Sequence, residues 1–244
     1  MGIEVQAGQI TEIVIDLPPV NALPVGAWFE LASVLAAAGA DPDVRVVVLA
    51  ARGRGFCAGV DIKELAAAPD HQLLIDVNRG CAAAFAAVYD CPVPVVAAVH
   101  GFCLGGGIGL VGCADVVVAA DDATFGLPEV DRGALGAATH LARLVPHHLM
   151  RAMVYTCRPA TAAELHRHGS VLQVVPREEL LPAARAVATG IAGKDPDVVR
   201  RAKESLNGID PMDVKRSYRF EQGFTFELTL SGAGGRARKA FVDG

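Results

Sequence analysis

The 244-residue sequence predicts an α/β fold, and three observations predict it. Strand-like apolar runs alternate with helical patterns along most of the chain. Two of those runs, residues 44–51 and 94–99, lead into glycine-bearing turns at 55–64 and 100–109. Linkers are short throughout, which describes one compact domain with a small appendage rather than two large domains.

Taken in order, residues 1–15 alternate apolar and polar side chains, and 12–17 form the first clear strand around Ile13, Val14 and Ile15. Residues 28–40 follow a helical period that stops at Asp41-Pro42, because the residue before a proline is disfavoured in the α conformation. The strand at 44–51 comes next, then a helix over 71–90 closed by Asp90-Cys91-Pro92. Strands at 94–99 and 116–120 precede a helix at 146–156. Thr161-Ala162-Ala163-Glu164 has the pattern of a capping box opening a short helix, and Gly169-Ser170 punctuates its end. A strand at 171–175 and a helix at 180–192 complete the alternation. Beyond Ile191 the pattern changes to charge-rich helices at 197–207 and 213–230, with Tyr218, Phe220, Phe224 and Phe226 interleaved. Such a tail has a narrow apolar face and little core of its own, so it packs on the main domain or on a neighbouring subunit. The division is therefore a core at 1–192 and a helical region at 193–244.

A net charge of -5 and scattered Lys and Arg exclude a nucleic-acid footprint, which needs a basic stripe. The cysteines at 57, 81, 91, 103, 113 and 157 form no CxxC pair and lack the histidine spacing of a zinc site, so they read as reduced core residues and no metal is expected. The N-terminus lacks the pattern of a signal peptide, and no apolar run reaches membrane-spanning length. A cytoplasmic protein without membrane contact is the expectation.

Gly107-Ile108-Gly109-Leu110-Val111-Gly112 satisfies GxGxxG, with Asp121 and Asp122 downstream. A dinucleotide site is nevertheless excluded, because the strand at Val116 leaves no room for the crossover helix of a nucleotide-binding βαβ unit. Gly109 and Gly112 fit tight packing, whereas the run Gly105-Gly106-Gly107 carries an entropic cost that a ligand approaching the backbone at a helix N-terminus would justify. Two glycine turns at the mouth of one sheet can aim fixed N–H donors at a single oxygen, as stabilising a developing thioester oxyanion requires. Glu129, after the Leu127-Pro128 turn, is the candidate acid or base, since an apolar pocket raises a carboxylate's pKa toward neutrality. On spacing alone, a solvated loop glutamate or an ion pair with Arg132 is the simpler reading. Asp131, Arg132 and His140 lie near as helpers, His147-His148 reads as a solvated helix start, and Asp61 and Lys63 cap and neutralise the helix that follows them.

Residues 53–65, 101–114 and 125–141 together resemble the enoyl-CoA hydratase/isomerase family, the crotonase superfamily, and the similarity runs over essentially the whole chain. The resemblance implies a crotonase-like spiral of ββα units, with a C-terminal helical trimerisation region giving a homotrimer or a hexamer of paired trimers. It implies an acyl-CoA thioester substrate and no separate cofactor, coenzyme A being part of the substrate. It makes the amides of Val60 and Gly106 the oxyanion donors and Glu129 the catalytic carboxylate. It assigns Asn21, Leu23, Ala58, Asp61, Ile62, Phe102, Leu104, Gly107, Pro128, Asp131 and Arg132 to substrate or CoA binding. It sends Lys203, or another basic residue of the tail, to the CoA 3′-phosphate. Pro18 replaces the basic residue often found shortly before the Asn of the Pro19-Val20-Asn21-Ala22-Leu23 motif, which puts one phosphate contact in doubt.

Departures from the family pattern narrow the chemistry. Hydratases of this family carry two glutamates; here the first position is Gly109 and only Glu129 remains, which handicaps hydration by about a hundredfold or more. The loop after Glu129 is also short and lacks the usual Pro-Gly-Ala-Gly-Gly run. Residues 75–81, 105–112, 125–141 and 221–228 resemble most closely the actinobacterial members that hydrolytically open a ring of a bicyclic CoA thioester late in steroid breakdown. That resemblance implies a retro-Claisen cleavage in which Glu129 activates water toward a ring ketone β to the thioester, with Gly109 making room for a bulky ring. A 2-enoyl-CoA hydratase or isomerase of β-oxidation is the alternative enzyme, and a CoA-ester-binding protein without turnover is the alternative outside catalysis.

Overall fold

A computed structural model describes residues 2–67 and 71–243. In chain order its strands are β1 (Gly2–Gln6), β2 (Ile10–Asp16), β3 (Ala22–Leu23), β4 (Val46–Ala51), β5 (Gly59–Val60), β6 (Val95–Val99), β7 (Phe102–Leu104), β8 (Val116–Ala120), β9 (Thr124–Gly126), β10 (Ala160–Thr161) and β11 (Gln173–Val175). Its helices are α1 (Val25–Ala40), α2 (Ile62–Ala67), α3 (Gln72–Tyr89), α4 (Gly106–Cys113), α5 (Ala138–Leu141), α6 (His147–Thr156), α7 (Ala162–Arg167), α8 (Leu180–Ala192), α9 (Pro196–Ile209), α10 (Val214–Leu230) and α11 (Ala233–Asp243).

The long strands form one six-stranded sheet in the order β1-β2-β4-β6-β8-β11, parallel except for the antiparallel β1–β2 hairpin. Val47 and Leu49 face the large core under α1, α3 and α4, while Val46, Val48 and Ala50 face Leu180, Ala184 and Ala188 of α8. Burial on both faces is why the sequence shows continuous apolar runs there instead of alternation. The short strands make a second layer, β10-β9-β7 and β3-β5; β3, β5, β7 and β9 each follow a main-sheet strand after one turn, and β10 follows α6. Strand, turn, short strand and helix thus repeat as a spiral. Two- and three-residue strands carry no readable period, so the sequence leaves them as turns; it likewise leaves α11 unassigned.

The expected capping box is present: the Thr161 hydroxyl accepts from the Glu164 amide and the Glu164 carboxylate accepts from the Thr161 amide. Helix α4 begins at Gly106 and yields to β8 at Val116, which agrees with excluding a nucleotide-binding βαβ unit. The tail packs on the core. Arg200 of α9 donates to the main-chain carbonyls of Gly39 (3.1 Å), Asp41 (3.0 Å) and Val44 (3.1 Å), closing the C-terminal end of α1.

Lys203 corrects the sequence-based expectation. It is 4% exposed, and its Nζ donates to both Asp115 oxygens at 2.7 and 2.8 Å, so in this chain it latches α9 to the sheet instead of presenting a charge to a phosphate. Asp115 also accepts from the Val95 amide at 2.8 Å, tying the same latch to β6. Removing one partner of a buried pair leaves the other charge uncompensated. Lys203→Met is therefore expected to lose about 3 kcal/mol of stability in urea unfolding, and Lys203→Met/Asp115→Asn to regain part of that loss.

Candidate active site

Two main-chain turns and one carboxylate define a cavity of about 120 Å³. The first turn follows β4. Asn21 organises it: its Oδ1 accepts from the Leu17 amide and its Nδ2 donates to the carbonyls of Arg52 and Gly55, each at 2.8 Å. Pairing of Ala22 with Gly59 and of Leu23 with Val60 then presents the 58–60 backbone at the cavity wall. The second turn follows β7, where Gly105 adopts φ +55°, a conformation that an L side chain rarely takes, and acts as the N-cap of α4. The Gly105 carbonyl accepts from the amides of Ile108 (2.9 Å) and Gly109 (3.3 Å), so the Gly106 amide lies in the first helical turn, ahead of any intrahelical acceptor. The helix dipole adds positive potential at that point. The two turns touch: a Cβ on Gly59 would lie 3.1 Å from the Gly106 nitrogen. Beneath them, Trp28 donates from Nε1 to the Leu23 carbonyl at 3.0 Å, and its ring edge fills the space a Gly106 side chain would need.

Glu129 stands just before the short 3-10 turn Val130–Arg132 and projects toward the second turn; its Oε1 would lie 2.6 Å from a Cβ on Gly105. The residue is only partly covered, but its Oε2 is buried and has no hydrogen-bond partner. Burial pushes its pKa up from 4.5 to about 8, with Glu221 adding to the rise; its own backbone amide and the Arg132 guanidinium oppose it. A proton acceptor poised near neutrality, beside donors placed for an oxyanion, can move a proton to or from a carbon next to a thioester.

Of the residues assigned from the sequence, Ala58, Val60, Ile62, Gly106, Pro128, Glu129 and Arg132 line the cavity. The others stand behind or beside it. Asn21 and the Leu23 side chain are buried and work structurally, as described above. Asp61 Oδ1 accepts from the Lys63 amide at 2.9 Å and the Glu64 amide at 3.4 Å, the capping role expected of it. Phe102 packs over Gly55, Leu104 reaches Gly126, and Gly107 lies against Cys57; none of the three forms the wall. Asp131 is exposed. His140 lies outside the wall, between the rings of Phe85 (4.9 Å) and Tyr218 (5.0 Å), and burial lowers its pKa to about 3, so it stays uncharged.

Gly109 is a second correction. It does not open onto the cavity, because the Phe85 ring occupies its place: a Cβ there would meet Phe85 Cζ at 2.1 Å. The missing glutamate is replaced by an aromatic plug and not by free space.

Sequence reasoning missed one wall. Val77, Asn78, Cys81 and Phe85 come from a single face of α3, and Tyr218 and Thr225 come from α10. The signal was there, since an asparagine within the apolar stripe of a helix is the type of residue to question. Burial pushes the Cys81 thiol up, which keeps it protonated and a poor nucleophile. Helix α10 also holds the loop opposite the turns: Glu221 accepts from the amides of Ala138 (2.9 Å) and Thr139 (2.7 Å) and from the Thr139 hydroxyl. Thr225 Oγ1 accepts from the Leu135 amide at 3.0 Å and donates to its carbonyl at 2.6 Å.

A family model described as enoyl-CoA hydratase/isomerase matches residues 5–231. A Rhodococcus jostii protein named (7aS)-7a-methyl-1,5-dioxo-2,3,5,6,7,7a-hexahydro-1H-indene-carboxyl-CoA hydrolase is 64% identical over 234 residues, 96% of this chain and 91% of the relative. A Mycobacterium tuberculosis protein of the same name is 60% identical over 233 residues, 96% of this chain and 94% of the relative. Among solved structures, an enoyl-CoA hydratase/isomerase from Xanthobacter autotrophicus Py2 superposes with a TM-score of 0.89 at 26% identity, covering 100% of this chain and 92% of that one.

Two outcomes follow from the geometry. Glu129 keeps its proton in the folded state to about pH 8, whereas its ordinary pKa is 4.5, so it favours the folded state below pH 4.5 and that contribution is lost as pH rises through about 8. Urea unfolding of Glu129→Gln should therefore show a flatter decline in stability between pH 5 and 9 than wild type does. Gly109→Glu should lower the melting temperature through overpacking worth about 1–3 kcal/mol, with Phe85→Ala in the same chain restoring part of it.

Proposed function

The chain belongs to the enoyl-CoA hydratase/isomerase family, and on that premise we propose that it is a hydrolase that opens a ring of a methyl-dioxo-hexahydroindene-carboxyl-CoA, the compound named for its relatives at 64% and 60% identity. The observation that carries this reading is the lone carboxylate. Among the described residues only Glu129 brings an acid to the cavity, and the position of a second is plugged by Phe85. Hydration divides water activation and proton delivery between two carboxylates, whereas a hydrolytic retro-Claisen cleavage uses one base twice.

The thioester carbonyl sits on the amides of Val60 and Gly106. The ring system lies against Leu65, Leu74 and Val77 and displaces water from that apolar part of the wall. Glu129 takes a proton from water, whose oxygen adds to a ring ketone. The adjacent carbon–carbon bond breaks, and its electrons pass into the conjugated thioester, whose enolate oxygen the two amides hold. Glu129 returns the proton to carbon. Ketone plus water becomes a carboxylic acid, which ionises to carboxylate and a proton, plus a C–H bond, so no cofactor is consumed and coenzyme A remains on the product. The angular methyl group and fused rings of the named compound place the reaction late in steroid breakdown.

A homotrimer, or a hexamer built from two, belongs to the same reading. It is supported by Phe220 and Phe224, paired at 5.1 Å on α10, and by Leu206, Ile209 and Leu230, all exposed on the tail. A cytoplasmic location fits a CoA-linked substrate. No helix among the described residues is long and apolar enough to cross a membrane.

Incubation of the purified protein with the dioxo-indene thioester in H₂¹⁸O tests the function. One label is expected in a new carboxylate without release of free CoA thiol, and Glu129→Gln should reduce the rate by about 10²–10⁴-fold. The wild-type rate should climb with pH as Glu129 ionises, levelling off above about 8. Rapid, Glu129-dependent hydration of a short 2-enoyl-CoA, with the bicyclic ester left intact, would refute the proposal.

A further inference from the structure

Ring opening by water creates negative charge on two different oxygens. When water adds to the ring ketone, the C=O π pair moves onto the former carbonyl oxygen and gives a tetrahedral oxyanion. When that intermediate collapses, C=O re-forms, the neighbouring carbon–carbon bond breaks, and its electron pair reaches the thioester oxygen. The amides of Val60 and Gly106 serve the second oxygen. They cannot also serve the first, which belongs to a different carbon, and developing charge in a water-excluded site needs its own preorganised donor.

Asn78 has the properties of that donor. It lies on the α3 wall of the cavity, on an element other than those carrying the two amides, and it is 8% exposed. Its Nδ2 is buried and has no hydrogen-bond partner. A buried, unsatisfied amide is costly, and replacing it with an apolar group of the same shape removes the cost. Its neighbours on the α3 wall, Leu74, Val77, Cys81 and Phe85, are compatible with such a group. The asparagine is also held in place: its main-chain carbonyl accepts from Gln222 Nε2 of α10 at 2.8 Å. A donor kept dry, anchored and unpaired in the cavity that holds Glu129 is what a substrate oxygen would complete.

We propose that the Asn78 carboxamide is a catalytic hydrogen-bond donor to the ring-ketone oxygen, holding the oxyanion formed when the Glu129-activated water adds. The inference rests on the ring-opening reading. It divides the reaction between two sites: Asn78 serves the addition step and the Val60–Gly106 pair serves the enolate step, with Glu129 shuttling one proton between them.

Asn78→Leu, which matches the shape and removes the donor, separates this role from a structural one. Two rates are measured, ring opening of the dioxo-indene thioester and solvent-deuterium exchange at the new C–H of the ring-opened product. The exchange runs through the enolate and needs no ketone donor. The expected result is a fall of about 10²–10³-fold in kcat for ring opening with KM nearly unchanged, exchange kept within a few-fold of wild type, and a melting temperature no lower than wild type. Turnover within about tenfold of wild type, or exchange that falls along with turnover, would overturn the assignment. A wild-type enzyme that leaves the bicyclic ester intact would instead overturn the ring-opening reading on which the assignment rests.

Discussion

The site depends on a single close approach of main chain to main chain. The backbone at Gly59 meets the start of α4 so closely that a Cβ would lie 3.1 Å from the Gly106 nitrogen. These segments come from successive turns of the spiral, so their separation is set by the parallel pairing of β4 with β6, two strands buried on both faces. Trp28 below the turns and Asn21 behind them supply the remaining rigidity, one through a ring edge and one through three hydrogen bonds. Donors held in this way need no rearrangement when charge develops, which is the advantage of main-chain amides over mobile side chains.

The same density sets the behaviour of Glu129. Its Oε2 has neither solvent nor a protein partner, and that deprivation raises the carboxylate's affinity for a proton. The fold bears the cost, because a group that resists ionising in the folded state weakens folding as pH rises. Helix α10 maintains that state, fastening the 135–139 loop through Glu221 and Thr225 so that the wall facing the carboxylate cannot relax around it.

Much of this was legible in the chain. Residues 44–51 and 94–99 were visible as strands because burial on both faces leaves unbroken apolar runs, and 71–90 was visible as a helix because its apolar stripe is long. Glu129, Val60 and Gly106 could be located because glycine turns after strands and a glutamate after proline are local patterns. What escaped was set by contacts distant in sequence. Gly109 stands out as the place of a missing glutamate, but nothing in its segment or in that of Phe85 says that the Phe85 ring fills it. Lys203 reads as a tail cation for the CoA 3′-phosphate until the fold brings Asp115 to it across the molecule. Leu23 and Gly107 belong to the site's motifs, but their side-chain positions face the core, which motif membership alone does not disclose.

The part played by α10 bears on how this protein can change over time. A change of pattern after Ile191 suggests an appendage that can be exchanged, yet Tyr218 and Thr225 form part of the cavity wall and Gln222 steadies Asn78. The seam in sequence character is therefore not a seam in the catalyst. A chimera joining residues 1–192 to another relative's tail would inherit the carboxylate and both main-chain donors, but its pocket would lack its own fourth side. Acyl-group preference in such hybrids should travel with the tail as much as with the core.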